Sequence, residues 1–371
     1  MTQPVRCEFP LAAAVLEQAV RDRVFPGCAF AVLKPGESQP QAAKAIGHFT
    51  YEPDSRRVEP DTIFDLASLT KVLATTAAIM LLYDRRELAL DVSLAEWLPE
   101  FVAVDPSDRR RSQVTLRRLL DHSSGLPGYV RLFESANDRP AMIDAALHQP
   151  LTADPGTRAE YSDIGFIILG HLIERIAGDR LDIFCQREIF APLGMSTTRF
   201  CPETVLRASI PPTEDDRSFR HRIIEGEVHD ENASVMGGIA GHAGLFSDAR
   251  DPLRFAACML AHGLTASGVQ LFSAQTIALF AERAQQPPGT SRALGWDTPS
   301  VPSSSGSLFS RRSIGHLGFT GTSLWIDLDA RIAVTLLTNR TWPDRSSQAI
   351  RELRPRFHDA IRRELVADHK I

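Results

Sequence analysis

The chain has 371 residues, 43% of them apolar and 23% charged, with a formal net charge of -5 at pH 7. These values are ordinary for globular proteins and exclude a small stapled scaffold, a collagen-like chain and a mostly disordered one. No run approaches the ~18 apolar residues of a membrane helix, and the acidic balance offers no overall phosphate-neutralising surface, so neither membrane nor nucleic acid is an expected partner.

From Leu11 to Val24 apolar residues recur at helical spacing until Phe25-Pro26-Gly27 stops them. Residues 28–34 and 41–49 read as two strands of a hairpin. A second helix runs from about Ser68 to Arg86, with Leu69, Val72, Leu73, Ile79, Met80 and Tyr83 as its stripe. The stretch 91–285 is mainly helical pattern, clearest over 113–120, 140–148, 162–177, 181–190, 251–263 and 273–284. The polar, Pro- and Ser-rich segment 285–307 reads as a surface excursion. Ser313–Leu317, Thr322–Leu328 and Arg331–Thr338 follow as strands, the last two joined by a short turn and so antiparallel. An amphipathic helix over 346–367 ends the pattern.

Strands at both ends with helices between them predict an α+β fold: one antiparallel sheet of at least five strands, flanked by the terminal helices, with an inserted helical lobe. The chain then forms a single unit, its sheet lobe drawn from residues 1–90 and 290–371 and its helical lobe from 91–289. The five cysteines (Cys7, Cys28, Cys185, Cys201, Cys258) form no C-x-x-C pair, which argues for reduced thiols and against a structural zinc site. The first residues carry no export pattern, so the cytoplasm is the expected compartment.

Chemistry concentrates in a few places. Ser68 stands where an extended segment turns into the second helix, and Lys71 shares its face. A serine there needs a neighbour to take its proton, and a buried amine near a helix start is expected to be pushed towards the neutral form that can do so. Twenty-eight serines and four lysines give about 0.3 chance S-x-x-K matches, so a capping serine with a snorkelling lysine is an equal reading of the tetrapeptide alone. Tyr161 precedes the helix that begins near Asp163; its hydroxyl is a candidate for proton transfer, and an N-cap role for Asp163 is the plainer alternative. His316-Leu317-Gly318 ends a strand, and the glycine permits close approach of a substrate backbone. His229-Asp230-x-Asn232 and Gly241-His242-Ala243-Gly244 are dense in polar groups and read as substrate pocket, as structural loop or, least of the three, as metal ligands.

Taken in order, Ser68-x-x-Lys71, Tyr161-x-Asp163 and His316-x-Gly318 resemble the serine β-lactamase and penicillin-binding protein superfamily. The branch most resembled holds class C β-lactamases, D,D-peptidases, family VIII esterases and muropeptide amidase-like hydrolases. The segments Leu119–Pro127, Pro155–Gly165 and Gly244–Asp251 are similar to stretches of that branch, and the likeness covers about residues 24–340. The resemblance implies a serine hydrolase without cofactor or metal, forming an acyl-enzyme on an amide or ester. Ser68, Lys71 and Tyr161 would be catalytic. Asp163, His316, Gly318, Phe319, His229, Asp230 and His242 would meet substrate, with the N–H groups of Ser68 and Phe319 as oxyanion donors.

Asp163 stands where the branch has Asn, and His316-Leu317-Gly318 where it has K-T-G. Loss of that Lys and Thr removes the groups that bind a β-lactam carboxylate. Cell-wall peptides, muropeptide amides and small esters are therefore the implied substrates, with β-lactams taken weakly, and the expected state is a monomer or weak homodimer. A catalytically silent binder of peptidoglycan fragments or β-lactams with the same fold is the alternative.

Overall fold

The computed structural model describes residues 9–40 and 42–368. Cys7, Gln41, Lys370 and the expectation for the first eight residues fall outside them. Ten strands occur among the described residues: β1 (Gly27–Leu33), β2 (Ala42–Gly47), β3 (Phe64–Asp65), β4 (Arg199–Phe200), β5 (Glu214–Asp216), β6 (Arg222–Ile224), β7 (Leu245–Ser247), β8 (Ser313–Leu317), β9 (Ser323–Asp327) and β10 (Ile332–Thr338). The main sheet has the order β2-β1-β10-β9-β8 and is antiparallel throughout, as the two hairpins require.

All of β1 is buried because the sheet is covered on both faces, and its alternation sorts side chains between two cores. Cys28, Phe30 and Val32 join Trp325, Val334 and Leu336 under the terminal helices Pro10–Arg21 and Ile350–Asp368, which supply Leu16, Phe357 and Ile361. Ala29, Ala31 and Leu33 face the other way, with Leu324 and Ile326, into the larger core shared with the central helices. Cys28, Cys185 and Cys258 are buried free thiols, and Cys201 is free and exposed.

The predicted helix from Ser68 differs in kind. The segment starts as a 3-10 turn, Ala67–Leu69, continues as a π-helix, Lys71–Thr76, and becomes α-helical only at Ala77–Asp84. A π stretch of this sort re-aims side chains and is frequent at functional sites. Elsewhere the helices are shorter than their patterns: Leu116–Leu120, Asp251–Leu260 and Ala274–Ala281. Residues 285–307 are irregular, as expected, although Trp296 and Leu294 anchor the excursion in the core. Among the described residues no helix is long and apolar enough to cross a membrane.

Candidate active site

Ser68 follows Ala67, whose φ of 46° is left-handed, an uncommon conformation for a residue with a Cβ. The strain is held by Asp65, at the end of β3: Oδ1 accepts from the Ala67 N–H at 2.7 Å and Oδ2 from the His229 N–H at 2.7 Å. Thr70 Oγ1 closes the turn by donating to Ala67 O at 2.7 Å. The result is a serine whose hydroxyl opens into a cleft and whose N–H has no acceptor among the described residues.

Lys71 is fully buried and, besides the Tyr161 hydroxyl, has three close partners. Its Nζ lies 3.0 Å from Ser68 Oγ, 2.6 Å from Asp163 Oδ1 and 3.0 Å from His242 O. Burial works against the charge, yet the Asp163 carboxylate and the Tyr161 hydroxyl together outweigh it and hold the ammonium above its ordinary range. This corrects one expectation, since Lys71 is not pushed towards the neutral amine; Asp163 pairs with Lys71 through Oδ1 and also lines the cleft. The cap of helix Asp163–Ala177 is Ser162, whose Oγ accepts from the Gly165 N–H.

Tyr161 covers this pair. Its ring centroid is 4.9 Å from Lys71 Nζ, and its hydroxyl interacts with both Lys71 and Ser68. Burial pushes the phenol up, against the pull of Lys71, so it is neutral. His122 packs beneath the ring at 4.8 Å, and its Nδ1 accepts from the Ser162 N–H at 3.0 Å, placing the imidazole proton on Nε2. Its segment stood out in the sequence, but nothing there distinguished it from a core histidine.

His316, on edge strand β8, lines the same cleft, 5.8 Å from Tyr161 between ring centroids. Its Nδ1 is 2.9 Å from Leu317 O, which it can only approach as a donor, so Nε2 keeps a lone pair; that atom is buried without a partner. Burial, with Lys71 and Arg292 nearby, holds the imidazole well below its ordinary value. Gly318 is required by space: a Cβ there would stand 2.6 Å from Leu66 O and 1.9 Å from Thr322 Oγ1. Beyond it no acceptor among the described residues takes the Phe319 N–H.

The His229-Asp230 and His242 loops meet through Asp230, but the two imidazoles take different carboxylates. His229 Nε2 pairs with Glu214 Oε2 at 2.9 Å, and its ring stacks on Phe319. Glu214 is also held by Arg345, and these bonds overcome burial to bring its carboxyl down to about 2. His242 lies behind the cleft, with Nε2 2.8 Å from Asp230 Oδ1, and touches the site through the carbonyl that receives Lys71. Asp230 itself lines the cleft, and His242 keeps its carboxyl well below the usual range despite burial. Two separate imidazole–carboxylate pairs are not a metal site, and no cluster of three or more metal-ligating side chains occurs among the described residues. Gly241 allows this packing, since a Cβ there would lie 2.1 Å from Phe166 O.

The cleft has a volume of about 610 Å³, and Ser68, Tyr161, Tyr129, Asp230, Arg340, Arg351 and Arg354 are among the residues that line it. Glu214, Arg345 and the three arginines were not apparent in a sequence with 37 arginines, where no single one stands out.

A serine on a strained turn, a buried lysine in contact with it and a tyrosine above both, carried on an antiparallel sheet between helices, define a serine hydrolase of the β-lactamase and transpeptidase fold. The family model described as Beta-lactamase matches residues 12–355, and the chain belongs to that family. It is 32% identical over 304 residues to a putative D-alanyl-D-alanine carboxypeptidase of Escherichia coli K12, covering 75% of this chain and 69% of that one. It is likewise 32% identical over 349 residues to an N-acetylmuramyl-L-alanine amidase of Bacillus subtilis 168, covering 85% and 77%. Among solved structures, a LovD6 mutant of simvastatin synthase from Aspergillus terreus superposes with a TM-score of 0.74 at 21% identity, covering 98% of this chain and 97% of that one.

Proposed function

We propose that the protein hydrolyses an amide or ester through an acyl-enzyme on Ser68, with cell-wall peptide or muropeptide amides as the natural class and small esters as surrogates. The observation that carries this is the chain of contacts Ser68 Oγ–Lys71 Nζ–Asp163 Oδ1, at 3.0 and 2.6 Å. As substrate displaces water, a proton passes from Lys71 to Asp163, and the amine so freed takes the proton of Ser68 as Oγ attacks the carbonyl. The N–H groups of Ser68 and Phe319 receive the developing oxyanion. The neutral Tyr161 phenol protonates the leaving nitrogen or oxygen and recovers its proton from Lys71. Water then enters from the cleft, and the same groups run in reverse to release the acid.

The names of the relatives support the muramyl-alanine amide and the D-Ala-ended peptide as first substrates to try. One observation favours the silent binder: in the resting site Lys71 is held as an ammonium and donates to Ser68, which leaves the hydroxyl unactivated. Assaying the purified protein on N-acetylmuramyl-L-alanine, a D-Ala-D-Ala peptide, a nitrophenyl ester and a chromogenic cephalosporin decides. Turnover of an amide or ester, lost in Ser68→Ala, supports the hydrolase; binding without turnover of any of the four supports the silent reading.

A further inference from the structure

The two candidate oxyanion donors stand on separate elements, Ser68 on the turn after β3 and Phe319 on the turn between β8 and β9, and a tetrahedral intermediate needs both fixed at once. The Ser68 turn is held by the Asp65 carboxylate. Phe319 is held more loosely, since the residue is 46% exposed and its N–H has no acceptor among the described residues. Its carbonyl accepts from Arg340 Nε at 2.6 Å. Two flat groups lie against its ring: the Arg340 guanidinium, 4.4 Å from the centroid, and the His229 imidazole, 5.6 Å between centroids with the planes 29° apart.

His229 is 3% exposed and anchored at three points: its N–H donates to Asp65 Oδ2 at 2.7 Å, its carbonyl accepts from Arg220 at 2.6 Å, and Nε2 meets Glu214 Oε2 at 2.9 Å. Glu214 is fixed in turn. It sits on β5, where the next residue, Asp215, donates its N–H to Pro343 O at 2.9 Å, and its Oε1 accepts from Arg345 Nε at 2.8 Å. A ring locked at its edge by a buried carboxylate presents one face in one orientation, and that face meets Phe319. The other oxygen of Asp65 holds the Ala67 N–H, so His229 joins the support of the first donor to the ring of the second.

We propose that His229, oriented by Glu214, is a positioning residue that sets Phe319, and with it the second oxyanion donor, relative to Ser68. This rests on the hydrolase reading for the use of the donors, not for the contact that aligns them. The role is mechanical, and a flat ring without an ionisable nitrogen should serve in its place.

The test compares Glu214→Ala, His229→Ala and His229→Phe with the parent in steady-state kinetics on a nitrophenyl ester and in amide hydrogen exchange of residues 317–322, read by mass spectrometry. Misaligning a donor used only in the transition state lowers kcat and spares KM. The two alanine variants should lose at least about tenfold in kcat with KM within about twofold, and His229→Phe should stay within about fourfold of the parent in kcat. In the turn, where Gly318 N–H donates to Thr322 O and Gly321 N–H to Gly318 O, exchange should quicken at least about threefold in the alanine variants and less in His229→Phe. Should the alanine variants fail to fold, Glu214→Gln, which keeps the shape and weakens the bond, is read in their place and should lose at least about threefold in kcat with KM unchanged. A kcat within about twofold of the parent in the folded variants, a loss carried by KM, unchanged exchange of 317–322, or His229→Phe as impaired as His229→Ala would overturn the proposal. A parent that turns over no ester or amide would overturn the hydrolase reading alone, and the exchange of 317–322 would still decide whether His229 and Glu214 hold Phe319.

Discussion

Lys71 is one of four lysines among 41 basic residues, in a chain that otherwise writes its cations as arginine. A guanidinium would serve as a charge beside Asp163, but it does not give up a proton at accessible pH. Lys71→Arg should therefore cost about 10³-fold in kcat/KM, comparable with Ser68→Ala, and the double variant should be scarcely worse than either. Retention of activity within about tenfold on any accepted ester would remove Lys71 from the base role.

Asp163→Asn restores the residue usual in related sites and tests the carboxylate directly. Without it only burial and the remaining partners act on Lys71, so its pKa falls and the neutral amine becomes the working form. Activity of the variant should climb with pH across about 6–9, where the parent, with its proton held within the pair, should stay nearly flat. Parallel profiles for the two proteins would show that Asp163 plays no part in the transfer. The meeting of Ser68, Lys71 and Tyr161 was legible only from the motifs taken together, since the Ser68–Lys71 tetrapeptide alone fits a capping serine and a snorkelling lysine equally well. The sequence misjudged the ionisation of Lys71, because that depends on how Asp163, 92 residues later, is aimed.

Long, regular elements were readable because burial imposes their period. The alternation of β1 between two cores, and the stripes of helices Pro10–Arg21 and Asp163–Ala177, follow from which faces are covered. Strands β3, β4 and β7, of two or three residues each, are too short to alternate, although β3 and β7 frame the serine turn. The π stretch at Lys71–Thr76 has no sequence mark either, since its composition suits an α-helix. At this scale Gly241 is the sensitive joint between a helix and the loop whose His242 carbonyl holds Lys71. Gly241→Ala drives a methyl against Phe166 O and should cost about 1–3 kcal/mol in chemical denaturation. It should also lower kcat on an accepted ester. A variant as stable and as active as the parent would show that the close approach is dispensable.

Across the whole molecule, strands from early and late in the sequence share one sheet, and of the five buried histidines among the described residues three, His122, His316 and His358, are held as neutral imidazoles. Burial is the main reason each is depressed, and for His358 the value falls from 6.5 to about 4. A depressed folded pKa means that the unfolded chain binds the proton first. The stability these groups contribute is thus complete above about pH 6.5 and is lost as pH falls towards the folded values. For His358 alone the loss should reach roughly 2 kcal/mol by about pH 5. Urea midpoints at about pH 7 and 5 should show the decline, and His358→Gln should flatten part of it. A midpoint that does not move between these pH values would mean that the imidazoles take up protons without unfolding the chain.

Covalent acylation of Ser68 during turnover is the step on which the mechanism rests. Its most direct measurement is mass spectrometry of the intact protein, quenched in acid during steady-state turnover of a nitrophenyl ester, followed by peptide mapping. A mass increase equal to the acyl group is expected on the peptide containing Ser68, decaying once substrate is exhausted and missing from Ser68→Ala. Turnover that proceeds with no adduct on that peptide, and that persists in Ser68→Ala, would contradict the mechanism.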